Sequence, residues 1–202
     1  MKKIICVLIA VSMLLCGLAL AEAKTIKPMA PDIDLAAPAD GIYGVYFQPA
    51  DLAGGALKFT LYTEDCYDIV DISTMAPGDT IWLGGLDYEV ESVEQSDDLL
   101  VNGGMDEGGF NMRPFEEDNC WKVVLEDDYT TWSEVGETTL PLSGNVTFTD
   151  GWDIEKAPVT VSGAEAVAEA ITGTDMDYFA YFNTTLRVEN GEIVEIIRSY
   201  MP

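Results

Sequence analysis

The sequence predicts a mainly β protein: an antiparallel barrel or sandwich with one short helix packed against it. Three observations carry that expectation. From Gly41 onward the chain is cut into short apolar runs divided by Gly, Asn, Asp and Pro, the spacing of strands and turns. Several runs alternate apolar and polar residues, the period-two signature of a half-buried strand. The clearest helical stripe, Ala164, Val167, Ala168 and Ile171, is only about three turns long and must pack on a sheet to persist.

Taken in order, residues 42–48 are rich in Tyr, Val and Phe, and in 57–63 Phe59 and Leu61 face one side while Lys58, Thr60 and Tyr62 face the other. Residues 81–83 pair with 87–93 through Gly84-Gly85; Tyr88 and Val90 point inward, and Asp87, Glu89 and Glu91 form an acidic outer row. Trp121, Val123 and Leu125 share one face of a further strand, and 138–142 lies beside 145–149, which presents Val146 and Phe148. The helix begins in a capping box of Ser162 and Glu165 and stops at Gly173. A closing hairpin joins 178–188 to 192–200 through Asn190-Gly191, the pair a type I′ turn demands because both residues need positive φ. Its second strand carries apolar residues on both faces, so each face must be covered.

Residues 1–21 read as a cleavable export signal. Lys2 and Lys3 precede an apolar run over 4–15, and Ala19 and Ala21 supply the small residues for a cut after Ala21, with Ala23 as the second choice. Cys16 suggests a lipoprotein, but the preceding Leu15 is too large for that processing, so lipidation is not expected. The leader resembles those of secreted proteins from anaerobic Gram-positive bacteria. Residues 22–40 mix Ala, Pro and Asp without periodicity and read as a flexible spacer. Residues 41–202 then form a single β-rich domain. Cys66 and Cys120 remain after cleavage and are expected to form a disulfide outside the cytoplasm, worth roughly 4 kcal/mol on the chain-entropy estimate. Two reduced thiols, or a metal pair, are the competing readings.

The chain carries 10 Lys+Arg, 36 Asp+Glu and no His, a formal charge of -26. So few cations among so many acids make no footprint for nucleic acid or for an anionic membrane surface. Without His, Ser-His-Asp and Cys-His catalysis and His-ligated metals are excluded. Carboxylates remain, and a pair of them can run glycoside hydrolysis. No cofactor is expected, with calcium the one exception. Asp97, Asp98, Asn102, Asp106 and Glu107 offer oxygen ligands in a Gly-rich loop, although without EF-hand spacing. The acidic runs 116–118 and 126–128 are lesser candidates. Trp121 belongs to the core by its alternation, whereas Trp132 and Trp152 lie in irregular polar stretches and are the candidate rings for stacking on a partner. The sequence therefore points to a non-catalytic binding module outside the cytoplasm, recognising a protein, glycan or cell-wall component. A calcium-stabilised module and a carboxylate-based hydrolase are the alternatives.

Overall fold

The structure is a computed structural model that describes residues 23–125, 129–173 and 179–200. The leader, the acidic run 126–128 and Tyr178 at the head of the expected closing hairpin lie outside the described residues. Among the described residues no helix is long and apolar enough to cross a membrane.

The elements run in the order β1 (Thr25–Ile26), β2 (Gly41–Tyr46), β3 (Leu52–Ala53), β4 (Ala56–Glu64), α1 (Ile69–Ser73), β5 (Thr80–Leu83), β6 (Leu86–Glu89), β7 (Val93–Gln95), β8 (Leu99–Val101), β9 (Phe110–Phe115), β10 (Cys120–Val124), β11 (Trp132–Gly151), β12 (Val159–Ser162), α2 (Ala164–Thr172), β13 (Thr184–Glu189) and β14 (Glu192–Ser199). The fold is mainly β, and its largest sheet is a barrel. Strands β11, β14, β13, β2 and β4 are joined edge to edge, and β4 pairs back onto β11 to close the ring. Four of the five junctions are antiparallel; β11 and β14 run parallel. Taken in chain order, the ring reads first, second, third, fifth, fourth and back to first. The helix α2 stands between the third and fourth strands, which is the connectivity of an OB-type Greek-key barrel.

One long strand makes the closure. The expectation of two neighbouring strands over 138–142 and 145–149 is corrected here: both belong to β11, twenty residues long. Residues 132–141 pair with β4, a register shift follows Leu142, and residues 147–151 pair with β14. Ser143-Gly144, between those two expected strands, lies within β11 at its register shift, which lets one strand serve both sides of the ring. The alternation in 57–63 holds, with Phe59 and Leu61 buried inside the barrel beside Val45, Phe148, Leu186 and Ile196. Asn190 (φ 53°) and Gly191 (φ 76°) form the closing turn as their residue types require. The helix seals the barrel with Val167 and Ile171, but its start differs from expectation. Ser162 is spent as the last residue of β12, and Gly163 (φ 93°) takes the cap position without a side-chain bond.

Between β4 and β11 the chain leaves the barrel, and the described residues 65–125 build a second lobe. It has a four-stranded sheet (β10-β9-β8-β7), a three-stranded sheet (β1-β5-β6) and its own core of Tyr67, Ile72, Ile81, Val90, Val101, Phe110, Met112 and Val123. The Gly84-Gly85 hairpin forms as read. Its second strand does not: β6 is exposed along its length, and Tyr88, expected inward, is 42% exposed with its ring edge-on to Phe110. Only Val90 of that pair is buried. In β10, Val123 is core and Trp121 is half-buried, and Leu125, expected on the same strand, lies just past its end and is exposed. Asp68 caps α1, an element the sequence reading did not anticipate, by accepting from the Val70 and Asp71 amides.

Within the stretch read as a spacer, the described residues 23–40 make contacts with both lobes. Thr25 and Ile26 pair in parallel with β5, and Ile26 is buried in the core of the inserted lobe. Met29 donates its amide to Cys66 O (2.7 Å). Farther along, Ile33 and Leu35 pack on the barrel core, and Thr138 Oγ1 donates to Leu35 O (2.6 Å). This segment is a strap that crosses from one lobe to the other. Its Pro and Ala composition hides the few apolar anchors that matter.

Candidate functional site

The inserted lobe leaves the barrel where Glu64, the last residue of β4, faces Trp132, the first of β11. One step further, the Asp65 amide donates to Thr131 O (2.9 Å), which closes the neck of the insertion. Partners across a strand pair share a face, so Trp132 and Glu64 stand on the same side as the next such pair, Tyr62 and Glu134. Tyr62 in turn faces Gly44 of β2. Gly44 is required here: a Cβ at that position would lie 2.7 Å from Trp132 Cζ3 and 3.2 Å from the Tyr181 carbonyl oxygen. Only a residue without a side chain lets the indole settle on this strand.

Tyr181 and Phe182 complete the ring cluster. They ride on a tight turn held from both ends. Phe179 exchanges backbone bonds with Phe47 and stacks on its ring at 4.4 Å. Asn183 Oδ1 accepts from the Ala180 amide (3.0 Å) and from Thr184 Oγ1 (2.5 Å). So fixed, Tyr181 stacks on Tyr62 (centroids 4.4 Å, planes 22° apart), meets Trp132 at 6.3 Å and 43°, and meets Phe182 edge-on at 5.5 Å and 83°. With Phe115, Leu125 and Tyr129 of the inserted lobe, Trp132, Tyr181 and Phe182 line a cleft of 660 Å³ at the junction of the two lobes, and Tyr62 backs Tyr181 from behind. That size suits a ligand well beyond a single ion or water. Phe182 is 44% exposed and Tyr129 37%, so the rings are open to a visitor.

The electrostatics beneath the cleft are settled by one buried cation. Lys122 lies over the Phe115 ring (4.8 Å) and its ammonium pairs with Glu64 (2.5 Å) and Asp118 (2.6 Å). Burial is the strongest single influence and opposes its charge, but bonds and attraction from Asp118 and Glu64 together outweigh it and raise its pKa above the ordinary lysine value. Two carboxylates against one ammonium leave this corner net negative. Burial, and then the neighbouring charge of Glu134, raise the Tyr62 hydroxyl above the ordinary phenol range.

A second cleft of 430 Å³ lies under the strap, lined by Lys27, Met29, Asp65, Trp82, Ser133 and Glu134 among others. Asp65 is 1% exposed; its Oδ1 accepts the Ser133 hydroxyl, and its Oδ2 has no hydrogen-bond partner among the described residues. Beside it Tyr67 donates to Trp82 O (2.7 Å), and its hydroxyl is driven far above the phenol range by burial first and the Asp65 charge second.

The two tryptophans singled out in the sequence part company. Trp132 lines the junction cleft, whereas Trp152 follows the other end of β11, where its ring stands 6.1 Å from Tyr200. The calcium loop is not gathered into a shell. Asp98 is gripped by Arg113, with Nε to Oδ1 at 2.8 Å and a second bond from the guanidinium to Oδ2 at 3.0 Å. Asn102 spends its side chain on the backbone, accepting from the Glu91 and Ser92 amides and donating to Glu89 O. Asp106 and Glu107 lie on an exposed 3₁₀ turn and Asp97 is exposed. Among the described residues the one convergence of three Cys, Asp or Glu ligand atoms is Cys66, Asp118 and Cys120, which includes none of the loop's acids. Cys66 and Cys120 stand at disulfide distance, with Cα atoms 5.5 Å apart, as expected.

Sequence reading missed Tyr62, Phe115, Tyr181 and Phe182. The signal was present in the run Tyr178-Phe179-Ala180-Tyr181-Phe182, whose aromatic density exceeds what one strand face can bury. Comparison with protein-family models, with curated proteins and with solved structures finds no match to this chain.

Proposed function

We propose that this protein is a non-catalytic binding module acting outside the cytoplasm, and that the junction cleft is its binding site. One observation carries the reading: Trp132, Tyr181, Phe182, Tyr129 and Phe115, drawn from both lobes, converge on one open cleft, with Glu64 its one charged lining residue among those described. Exposed rings held by a rigid scaffold are the usual anchors of recognition, because they offer large contact area at little entropic cost. The export signal in the sequence and the disulfide-distance cysteine pair support the location. The hydrolase alternative has less behind it, since Glu64, the acid in the cleft, is already committed to Lys122.

The test is calorimetric titration with three small probes, N-acetylglucosamine, indole and choline, representing a sugar face, a flat ring and an organic cation. At least one is expected to bind the native protein and to lose about tenfold or more in affinity in Tyr181→Ala and Phe182→Ala. Binding of none, or binding untouched by both substitutions, contradicts the reading.

A further inference from the structure

We infer that the ligand of the junction cleft is an organic cation, an alkylated ammonium group seated in the corner of Trp132, Tyr181 and Phe182; this rests on the reading of the cleft as the binding site. A pyranose lies flat on one ring or on coplanar rings, but here the planes turn through 43° between Trp132 and Tyr181 and 83° between Tyr181 and Phe182. Rings set at such angles form a corner that surrounds a compact, roughly spherical group. Alkylated ammonium ions fit that shape and are attracted by the negative ring faces at centroid distances within about 6 Å.

Charge in the cleft favours the same ligand. Among the described lining residues the one ionisable acid or base with a fixed charge is Glu64, and it is negative. Behind it the Glu64, Asp118 and Lys122 cluster holds two negative charges to one positive. Glu134 adds a further carboxylate beside Tyr62. At the scale of the whole chain a charge of -26 draws cations toward the surface and repels anions. Phe115, which lines the cleft, already receives an ammonium on its ring, that of Lys122 beneath the cleft, at 4.8 Å. The wall chemistry that the protein uses on its own lysine is offered by the neighbouring rings to a visitor.

The experiment compares choline with 3,3-dimethylbutan-1-ol, a neutral isostere of the same shape, by calorimetry on the native protein. Choline is expected to bind at least tenfold more tightly than the alcohol, and Phe182→Ala and Tyr129→Ala, both rim substitutions with little bearing on folding, are expected to weaken choline several-fold. Trp132→Ala is expected to abolish choline binding, with circular dichroism confirming the fold. Equal affinity for choline and the alcohol overturns the cation inference while leaving the cleft as a binding site. Failure of choline while N-acetylglucosamine or indole binds in a Tyr181-dependent manner does the same. Failure of all the probes overturns both.

Discussion

In the barrel, β11 runs for twenty residues, β4 for nine and β14 for eight, whereas the strands of the inserted lobe span three to six. The barrel closes on itself and so leaves few unpaired edges; the lobe has two small open sheets. Short strands fix few backbone bonds and small sheets bury less apolar surface per residue, so the lobe needs help that the barrel does not. It receives two forms of it, the Cys66–Cys120 pair and the strap whose Ile26 completes its core. The difference teaches that a stable ring can tolerate a large excursion between two of its strands if the excursion is tied at its base. The reward is a cleft with walls from both bodies.

Four perturbations break or sharpen that contrast. The largest effect belongs to the barrel. Arg198 is 2% exposed, bonded to Asp150 through Nε (3.0 Å) and a second guanidinium nitrogen (2.5 Å), and stacked on Phe179 at 4.6 Å. Asp150→Ala removes the carboxylate that grips a buried cation and is expected to cost about 3–5 kcal/mol in urea denaturation. Next, Cys66→Ser with Cys120→Ser opens a loop of 54 residues and is expected to remove about 4 kcal/mol or less. Hydrogen exchange distinguishes the regions: amides of β8 to β10 lose protection while those of β13 and β14 keep theirs. Equal loss in both would mean that the lobes unfold as one. Ile26→Ala, by emptying a core position in the strap, is expected to cost about 2–3 kcal/mol and to speed exchange in β5. If Ile26→Ala is silent, the strap is a spacer after all.

The smallest effect is a pH dependence. Hydrogen bonds from Arg113, which outweigh burial, hold the Asp98 carboxyl below its ordinary value of 3.8. A lowered pKa adds stability that is complete above the unfolded value and is lost as pH falls through the folded one. Asp98→Asn is therefore expected to cost under about 1 kcal/mol at neutral pH and to shrink the difference from the native protein as the solution is acidified below about pH 4. A difference that grows on acidification would contradict the pairing. Lys122 has the opposite sign: its raised pKa means that its contribution is present at neutral pH and fades only on strong alkalinisation.

Much of the barrel was legible in the sequence because its signals are local. Asn190-Gly191 admits few alternatives, the alternation around Phe59 and Leu61 reports a half-buried strand directly, and Val167 with Ile171 marks the buried stripe of α2. What escaped depends on contacts between distant residues. Nothing local says that β11 continues through Ser143-Gly144-Asn145, because whether a Gly-containing stretch turns or merely bends is decided by the strands that pair on either side of it. Tyr88 faces outward because β6 is an edge, a fact of sheet order rather than of alternation. The cleft was half visible. Trp132 stood out as a tryptophan in a polar stretch, but Gly44, Tyr62 and Tyr181 join it only through the barrel's closure, from positions far away along the chain.

The four tryptophans make the central claim directly measurable, because they report on separate places: Trp132 on the junction cleft, Trp82 on the cleft under the strap, Trp121 on the inserted lobe beside its core and Trp152 beyond the far end of β11. Their indole N–H resonances can be followed by nitrogen-15 correlation spectra while choline, indole and N-acetylglucosamine are titrated in turn. The Trp132 resonance is expected to move with a saturable dependence for at least one of them while Trp82 and Trp152 stay in place. A saturable shift confined to Trp82 or Trp152, or four unmoved resonances with every probe, would contradict it.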